Sequence, residues 1–471
     1  MDTLHKHSKY RRVYRPLDYY WGLGVEHETY IQSGKSKTFY CFAKNMAAER
    51  YSVRYYNAYK QEELMNVFQK VFDICGNIET PILLNSHSFL DTDIHGEHVT
   101  TYEKKPKPNP RFCGETVHTW ASRYSKWLLD EYEYSYMWDG DTVEFMTQRF
   151  YKTTVEEVVA ELTEIESSFV NELQRLPKEG ILSEYGPLTL SSRNHPWATY
   201  LTNSNNIAMF NNGTFHLNCT LPTRLDIRCR PLWFNDFRTK HQRLARLIQW
   251  MEPFWIAVYG SGDPFSSYDS RFAAGSQRLA VSRYVGMGTF DTDKMQRGKF
   301  NQIERDLSAN PWYRELYEKT AYESFDVIGL DINFNKHWAH GLELRFFDQM
   351  PIEHLKTVLI QLVHVMDASL TKSIPNIDAR KDVRWKSMAV DALYKGRNWQ
   401  VQPEQMETIC GAFNIECLTK EPVAVEHALE ILMKGIQIYS GECCKRMIQS
   451  ENEQNRSRRY LCKWLNNCFC C

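Results

Sequence analysis

Residues 23–30 read Leu-Gly-Val-Glu-His-Glu-Thr-Tyr, and this stretch decides which fold we expect. Side chains two residues apart in a β-strand project from the same face, so a strand here points Glu26 and Glu28 in one direction. An unpaired carboxylate removed from water costs on the order of several kcal/mol. The stretch therefore predicts a strand with one carboxylate face, which is either solvated or neutralised by a bound partner.

Three further stretches predict short strands with polar residues at alternate positions. In each of them acidic, basic, amide or imidazole side chains stand between apolar neighbours. The predicted strands and helices show no β-α-β alternation, which favours an α+β fold with a largely antiparallel sheet. The three stretches are Thr142–Met146 with Glu144, Thr214–Cys219 with His216 and Asn218, and Gly341–Phe347 with Glu343 and Arg345.

Amphipathic helices are expected between these strands. Apolar residues recur at helical spacing over Val155–Leu173 and over Phe237–Ile256. Pro253 is expected to bend or end the second of these helices, because it lacks a backbone N–H. A third helix is expected over Ile352–Leu370, just after Pro351.

The composition is that of an ordinary globular protein. The chain has 471 residues, with 57 Lys and Arg against 58 Asp and Glu, and a formal net charge of −1. This balance argues against a nucleic-acid-binding protein, whose affinity rests on clustered basic residues. No apolar run is long enough for a transmembrane helix, and the N-terminus lacks the apolar core of a signal peptide. The 13 cysteines have no regular spacing, so we expect a reducing, cytoplasmic environment.

The polar residues of the four predicted strands complement one another chemically. Four glutamates and one histidine suit a hard divalent cation such as Mg²⁺, which prefers oxygen ligands and bridges phosphates. An arginine beside a glutamate suits a phosphate oxygen or an anionic substrate. Together these residue types are what phosphoryl transfer requires. The alternative is that each strand turns a polar face to solvent.

The four strands resemble, in order, the motifs of the glutamine synthetase/glutamate–cysteine ligase superfamily of carboxylate–amine ligases. Gly24–Glu28 is similar to the opening E-x-E strand of that family, and Asp139–Thr147 to its next acidic strand. Gly213–Asn218 resembles its H-x-N element, and Gly341–Asp348 its late E-x-R strand. Ser276–Tyr284 resembles a basic segment that handles phosphates or the substrate carboxylate. The similarity is closer to the glutamate–cysteine ligases and amidoligases than to glutamine synthetase itself.

The resemblance implies a curved, largely antiparallel sheet that forms a catalytic funnel flanked by helices. ATP would enter at one end and an amino-acid-like carboxylate at the other, with two or three Mg²⁺ or Mn²⁺ ions between them. Arg345 would stabilise the transferring phosphoryl group and Asn218 would line the pocket. Arg278 and Arg283 would contact phosphate or carboxylate. The metal ligands would be Glu26, Glu28, Glu144, His216 and Glu343, of which His216 could instead bind the adjacent phosphates.

The reaction implied is the formation of an amide, possibly of γ-glutamyl type, from a carboxylate that ATP activates to an acyl phosphate. Two alternatives stay open. One is a phosphotransferase of the guanidino-kinase type, against which the E-x-E strand at the start argues. The other is a ligase-derived structural or interaction protein without catalysis. Glu97 is a second candidate for the position of Glu144, which we prefer because an amphipathic helix follows it directly.

The chain is expected to divide into a ligase-like catalytic domain, residues 1–375, and a helical region, residues 376–471, with a cysteine-rich tail. Residues 456–465 are basic and amphipathic, and the chain ends in Cys468-Phe-Cys-Cys471. Terminal cysteines beside basic residues resemble lipidation sites, so peripheral attachment to a membrane is one possibility. A reduced, exposed tail is the alternative. Many proteins of the superfamily are oligomers, so a homo-oligomer is also possible.

Overall fold

The four polar stretches form neighbouring strands of one five-stranded sheet in the computed structural model. Their order in the sheet is β11-β10-β1-β6-β5, and every neighbouring pair is antiparallel. The α+β class with antiparallel sheets is therefore confirmed. The strands are β1 (Tyr19–Thr29), β5 (Tyr136–Asp139), β6 (Thr142–Met146), β10 (Thr214–Arg224) and β11 (Leu342–Asp348).

The structure describes residues 17–40, 51–53, 69–87, 116–131, 135–140, 142–150, 152–177, 186–195, 198–201, 207–209, 213–226, 231–262, 264–268, 273–281, 341–379 and 382–448. Several residues of the sequence predictions lie outside these ranges. They are Glu97, Arg283 and the cysteines 468, 470 and 471.

Smaller sheets adjoin the main one. A four-stranded sheet has the order β7-β2-β4-β8, with β4 and β8 parallel. Two pairs complete the strands, β3 with β9 and β12 with β13. These strands are β2 (Ile31–Phe39), β3 (Tyr51–Val53), β4 (Ile78–Leu84), β7 (Leu188–Leu190), β8 (Thr199–Tyr200), β9 (Ile207–Met209), β12 (Gln400–Val401) and β13 (Val423–Ala424).

The three helices predicted from periodicity are present. The helices predicted over Val155–Leu173 and Ile352–Leu370 match the observed bounds closely. The helix predicted over Phe237–Ile256 continues through Pro253 to Tyr259, so the proline does not end it. Residues 383–447 are mostly helical, as expected. The helices are α1 (Val117–Tyr124), α2 (Val155–Arg175), α3 (Phe234–Tyr259), α4 (Gln277–Val281), α5 (Ile352–Leu370), α6 (Val383–Lys395), α7 (Pro403–Ala412), α8 (Val425–Ile436) and α9 (Glu442–Met447).

The proline in α3 is accommodated by a contact from a distant part of the chain. A proline at position 253 cannot donate a hydrogen bond to the carbonyl of Gln249, four residues earlier. The indole Nε1 of Trp385 on α6 donates to that carbonyl instead, at 2.8 Å. The freed acceptor is thus satisfied, which allows the helix to continue.

The hydrophobic core lies on one face of the main sheet. Val25 and Leu217 represent the apolar side chains of that face, which pack in one cluster with residues of α2, α3 and α5. Trp385 and Trp399 from beyond residue 376 are fully buried in the same cluster. The domain boundary at residue 375 stays a prediction, although side chains from both sides of it share this core. Of the helices described, none combines the length and the apolar character that crossing a bilayer requires.

Candidate metal-binding site on the main sheet

The strand register gathers the predicted site residues on the face of the main sheet opposite the core. Glu26 of β1 stands directly across from His216 of β10. On the other side of β1, Glu28 stands across from Glu144 of β6. Side chains of directly opposed residues share a face, with Cβ atoms about 4.5–5.5 Å apart. The alternation along each strand and the pairing between strands therefore produce one polar cluster.

Three of these side chains converge closely enough to hold one cation. Single ligand atoms of Glu26, Glu144 and His216 lie within 4.8 Å of one another. The three residues are 2 %, 9 % and 4 % exposed. Oxygen ligands about 2.1 Å from a shared Mg²⁺ lie about 3–4 Å from each other, so small side-chain rotations would complete the coordination. Two buried carboxylates with a neutral imidazole fit Mg²⁺ or Mn²⁺.

His216 is held neutral at the centre of the cluster. Burial lowers the pKa of His216 to about 3, helped by the positive charges of Arg345 and Arg278 and opposed by its hydrogen bond to Glu26. Arg278 Nη2 lies 3.1 Å from Nε2, and because a guanidinium only donates, Nε2 accepts this bond. Nδ1 then carries the ring proton and donates to Glu26 Oε2 at 3.2 Å. A neutral imidazole binds a metal through its unprotonated nitrogen, so His216 would become a ligand through Nε2 once Arg278 moves away from that atom.

Two threonines that we did not single out from the sequence hold the carboxylate of Glu28. The hydroxyl of Thr142 shares its proton between Oε1 at 3.1 Å and the backbone oxygen of Asp139 at 2.8 Å, and the hydroxyl of Thr214 donates to Oε2 at 3.2 Å. The Thr214 oxygen also lies 3.4 Å from His216 Nε2, which places the Glu28 carboxylate beside the central histidine. Each threonine stands two residues before a predicted site residue, Glu144 or His216. The i, i+2 spacing could therefore have identified both.

A β-bulge places the polar residues of β11. Between Phe215 and Leu217 the register of β10 with β11 shifts, so that two residues of β11 oppose His216. Glu343 is 1 % exposed and accepts a hydrogen bond from Arg345 Nη1 at 2.8 Å. The same Glu343 oxygen lies 3.7 Å from His216 Nδ1. Glu343 thus borders the three-residue cluster and is paired with Arg345.

The remaining predicted residues surround this centre. Asn218 donates through Nδ2 to Glu26 Oε1 at 3.4 Å. Arg278 on α4 also donates through Nε to the backbone oxygen of Arg345 at 2.8 Å. Its own backbone N–H donates to Asp348 Oδ1 at 3.2 Å, and the other oxygen of Asp348 accepts from the N–H of Ser261. Asp348 is buried at the end of β11 and fixes the segment that carries Arg278, a role that the sequence motif did not indicate.

Phe150 covers the part of β1 that precedes the carboxylates. Gly22 and Gly24 lie on the same face as Glu26, and a Cβ atom at either position would lie 2.0 Å or 2.9 Å from the Phe150 ring. Those distances are too short for any side chain, so glycine is required where the aromatic ring crosses the strand. The polar cluster is therefore closed on this side by a hydrophobic wall.

Comparison with known proteins gives one informative match. The chain is 36 % identical over 455 residues to "Uncharacterized protein R704" of Acanthamoeba polyphaga mimivirus. The aligned region covers 95 % of this chain and 80 % of the viral protein. No protein-family model matches the chain.

Proposed function

The chain belongs to the family of this mimiviral protein, and for this member of the family we propose the function of an ATP- and Mg²⁺-dependent carboxylate–amine ligase. The observation that supports the proposal most strongly is the convergence of Glu26, Glu144 and His216 on one sheet face. The two arginines beside this cluster add the donors that a phosphate needs. In this proposal the main sheet is the wall of a catalytic funnel of the glutamine synthetase type.

The side chains of this cluster are better explained as ligands of a divalent cation than as a polar strand face turned to solvent. Glu26 is almost fully buried, and burying a carboxylate beside a second one is costly unless a cation balances their charge. Glu26, Glu144 and His216 would hold Mg²⁺ or Mn²⁺, and Glu28 and Glu343 would complete or border the site. When bound, the metal would neutralise charge on the phosphates of ATP.

The chain's own residues would orient and balance the reacting groups. Arg345 is 29 % exposed and is therefore accessible to an anion, whereas its partner Glu343 is buried. Arg345 would donate to the γ-phosphate, and Arg278 would turn from Nε2 of His216 to the same anion when His216 binds the metal. Thr142 and Thr214 would keep Glu28 in a fixed orientation. Positioning and charge balance of this kind supply most of the catalysis in phosphoryl transfer.

The proposed reaction has two steps. A carboxylate oxygen of an amino-acid-like substrate takes the γ-phosphoryl group of ATP, and ADP leaves. An amine nitrogen then attacks the activated carbonyl carbon, phosphate leaves, the nitrogen gives up one proton to solvent, and an amide is formed, which is of γ-glutamyl type when the side-chain carboxylate of a glutamate is the substrate. We place this activity in the cytoplasm. Membrane attachment through the terminal cysteines and homo-oligomer formation stay predictions.

Metal titration and ADP release test the proposal together. We expect Mn²⁺ binding to be detected by calorimetry, and we expect Mg²⁺-dependent ADP release when amino acids and amines are supplied in pairs. The Glu144→Gln substitution removes one ligand charge and should weaken Mn²⁺ binding at least about tenfold. Glu164→Gln, an exposed position on α2, is the matched control and should bind Mn²⁺ as the wild type does.

Activity of the Glu28→Gln variant gives the second readout. The amide keeps the shape of the side chain and removes its charge, so turnover should fall by about 10²-fold or more while the melting temperature changes little. Mn²⁺ binding without ADP release from any substrate pair would contradict the ligase and favour a scaffold without catalysis. ADP release with a guanidino compound and no amide product would instead indicate a phosphotransferase.

A further inference from the structure

A cavity lies on the face of the main sheet opposite the carboxylate cluster. Its volume is about 690 Å³, within the range of small-molecule sites. His27 and Phe215 of the sheet form its floor, α2 forms one wall, and the segment from Gln349 to the start of α5 forms another. His27 stands between Glu26 and Glu28 in β1 and therefore points to the other side of the strand. The backbone of the sheet separates the two sites.

The floor of this cavity holds a buried histidine with one ring nitrogen that lacks a partner. His27 is 5 % exposed and stacks on Phe215, with ring centroids 4.1 Å apart. Its Nδ1 lies 2.5 Å from Glu166 Oε1 on α2. Its Nε2 is buried and has no hydrogen-bond partner among the described residues. The short Nδ1–Glu166 contact ties the histidine and the carboxylate into one polar pair at the floor of the cavity.

Glu166 supplies a carboxylate to the lining of this cavity. It is 23 % exposed, and within the described part of the chain no lysine or arginine forms an ion pair with it. Arg193 and Glu353 also line the cavity, with charges of opposite sign. Val170, Leu190 and Met350 add apolar side chains to the lining. The cavity therefore combines a carboxylate, which only accepts hydrogen bonds, with hydrocarbon.

We propose that this cavity binds a small primary amine, as its ammonium form, with an aliphatic stem. The ammonium group would donate to Glu166, and the stem would pack against Val170 and Met350. This inference is independent of the proposed ligase activity. A reacting amine must come within about 3–3.5 Å of its target, whereas a ligand here is separated from the carboxylate cluster by the sheet. The cavity is therefore an additional binding site.

Three probes of matched length test the chemical class of the ligand. The full chain is titrated at pH 7 with n-butylamine, n-butanol and sodium butyrate, and binding is followed by calorimetry or ligand-observed NMR. Butylamine is then an ammonium ion, as a lysine side chain is. We expect it to bind with a dissociation constant of about 1 mM, typical of so small a ligand, and the other two probes to bind at least about tenfold more weakly.

Two variants assign the binding to this cavity. Glu166→Gln removes the charge and keeps the shape, and Val170→Trp fills the cavity from α2, so each should weaken butylamine binding at least about tenfold. Glu164→Gln, on the same helix and outside the cavity, should bind as the wild type does. No saturable binding by the wild type, or unchanged binding by both variants, would overturn the site. Equal or tighter binding of butanol or butyrate would overturn the ammonium class.

Discussion

Individual side chains of this protein owe their charge state to burial as much as to their neighbours. His216 lies between two carboxylates, yet its pKa is lowered to about 3, with burial as the largest cause. The energy of removing an imidazolium from water and the repulsion by Arg345 and Arg278 together outweigh the attraction of Glu26. A histidine between glutamates is thus neutral here, which is the opposite of what its nearest carboxylates alone would suggest.

His118 gives a prediction of pH-dependent stability away from this cluster. It packs against His87 with ring centroids 4.4 Å apart, and burial, then the charge of His87, lowers the pKa of His118 to about 4. The unfolded chain protonates this residue below pH of about 6.5, whereas the folded protein does so only near pH 4. The unfolded state therefore binds more protons between these values, and the unfolding free energy falls as the pH falls through this range.

The His118→Phe substitution tests that prediction by removing the titrating group and keeping an aromatic ring. Between pH 7.5 and 5, the wild type should lose about 1–2 kcal/mol more of unfolding free energy than the variant, after solvent screening is allowed for. Urea denaturation at the two pH values measures the difference. An equal loss in wild type and His118→Phe would refute the prediction.

At the scale of elements, helix α2 shows how local sequence signals fix a boundary. Thr154 accepts from the N–H of Glu157, and the side chain of Glu157 accepts from the N–H of Thr154, which forms a capping box. The apolar stripe begins at Val155, directly after the cap. The bounds of α2 were therefore predictable to within two residues, because the capping residues and the spacing of the apolar residues are both visible in one continuous stretch of sequence.

The Thr154→Ala substitution should destabilise the protein by about 1 kcal/mol, because the backbone N–H of Glu157 at the start of α2 loses its side-chain acceptor. Urea denaturation measures the change in unfolding free energy. Thr163→Ala is the matched control, since the Thr163 hydroxyl only bonds to a carbonyl four residues earlier within the exposed part of the helix. A loss for Thr154→Ala no larger than for the control would contradict the role of the cap.

Strand identity was likewise predictable, but strand pairing was not. Alternation of polar and apolar residues is a property of eight consecutive residues, and it identified the strands that carry Glu26, Glu144, His216 and Glu343. Nothing in that pattern states that Glu26 faces His216 or that β11 carries a bulge. Those facts depend on contacts between segments separated by more than one hundred residues.

At the scale of the whole molecule, α3 illustrates a choice made by tertiary structure. From the sequence, Pro253 could either bend or end this helix. The helix continues because Trp385, 132 residues later in the numbering of the chain, supplies the hydrogen bond that the proline cannot. The C-terminal helices thus stabilise an element that precedes them, in the same core as the main sheet.

The Trp385→Phe substitution should cost about 1–3 kcal/mol beyond the loss of ring volume, because it removes a buried hydrogen bond to the carbonyl of Gln249. Thermal and urea denaturation measure the effect. Trp233→Phe provides the control, since Trp233 is 55 % exposed and should tolerate the change with little loss. If Trp385→Phe were as stable as the control, the continuation of α3 would need another explanation.

The sequence by itself determined the α+β class, the polar strands and the main helices, because hydrophobic period and capping act over a few neighbouring residues. The tertiary structure decided which glutamates meet the histidine, that Thr142 and Thr214 hold Glu28, and that Gly22 and Gly24 admit the ring of Phe150. It also produced the cavity around His27 and Glu166 on the reverse face. Each of these features depends on strand order and packing. These bring together residues that are far apart in the sequence, so no short stretch of sequence indicates that they will meet.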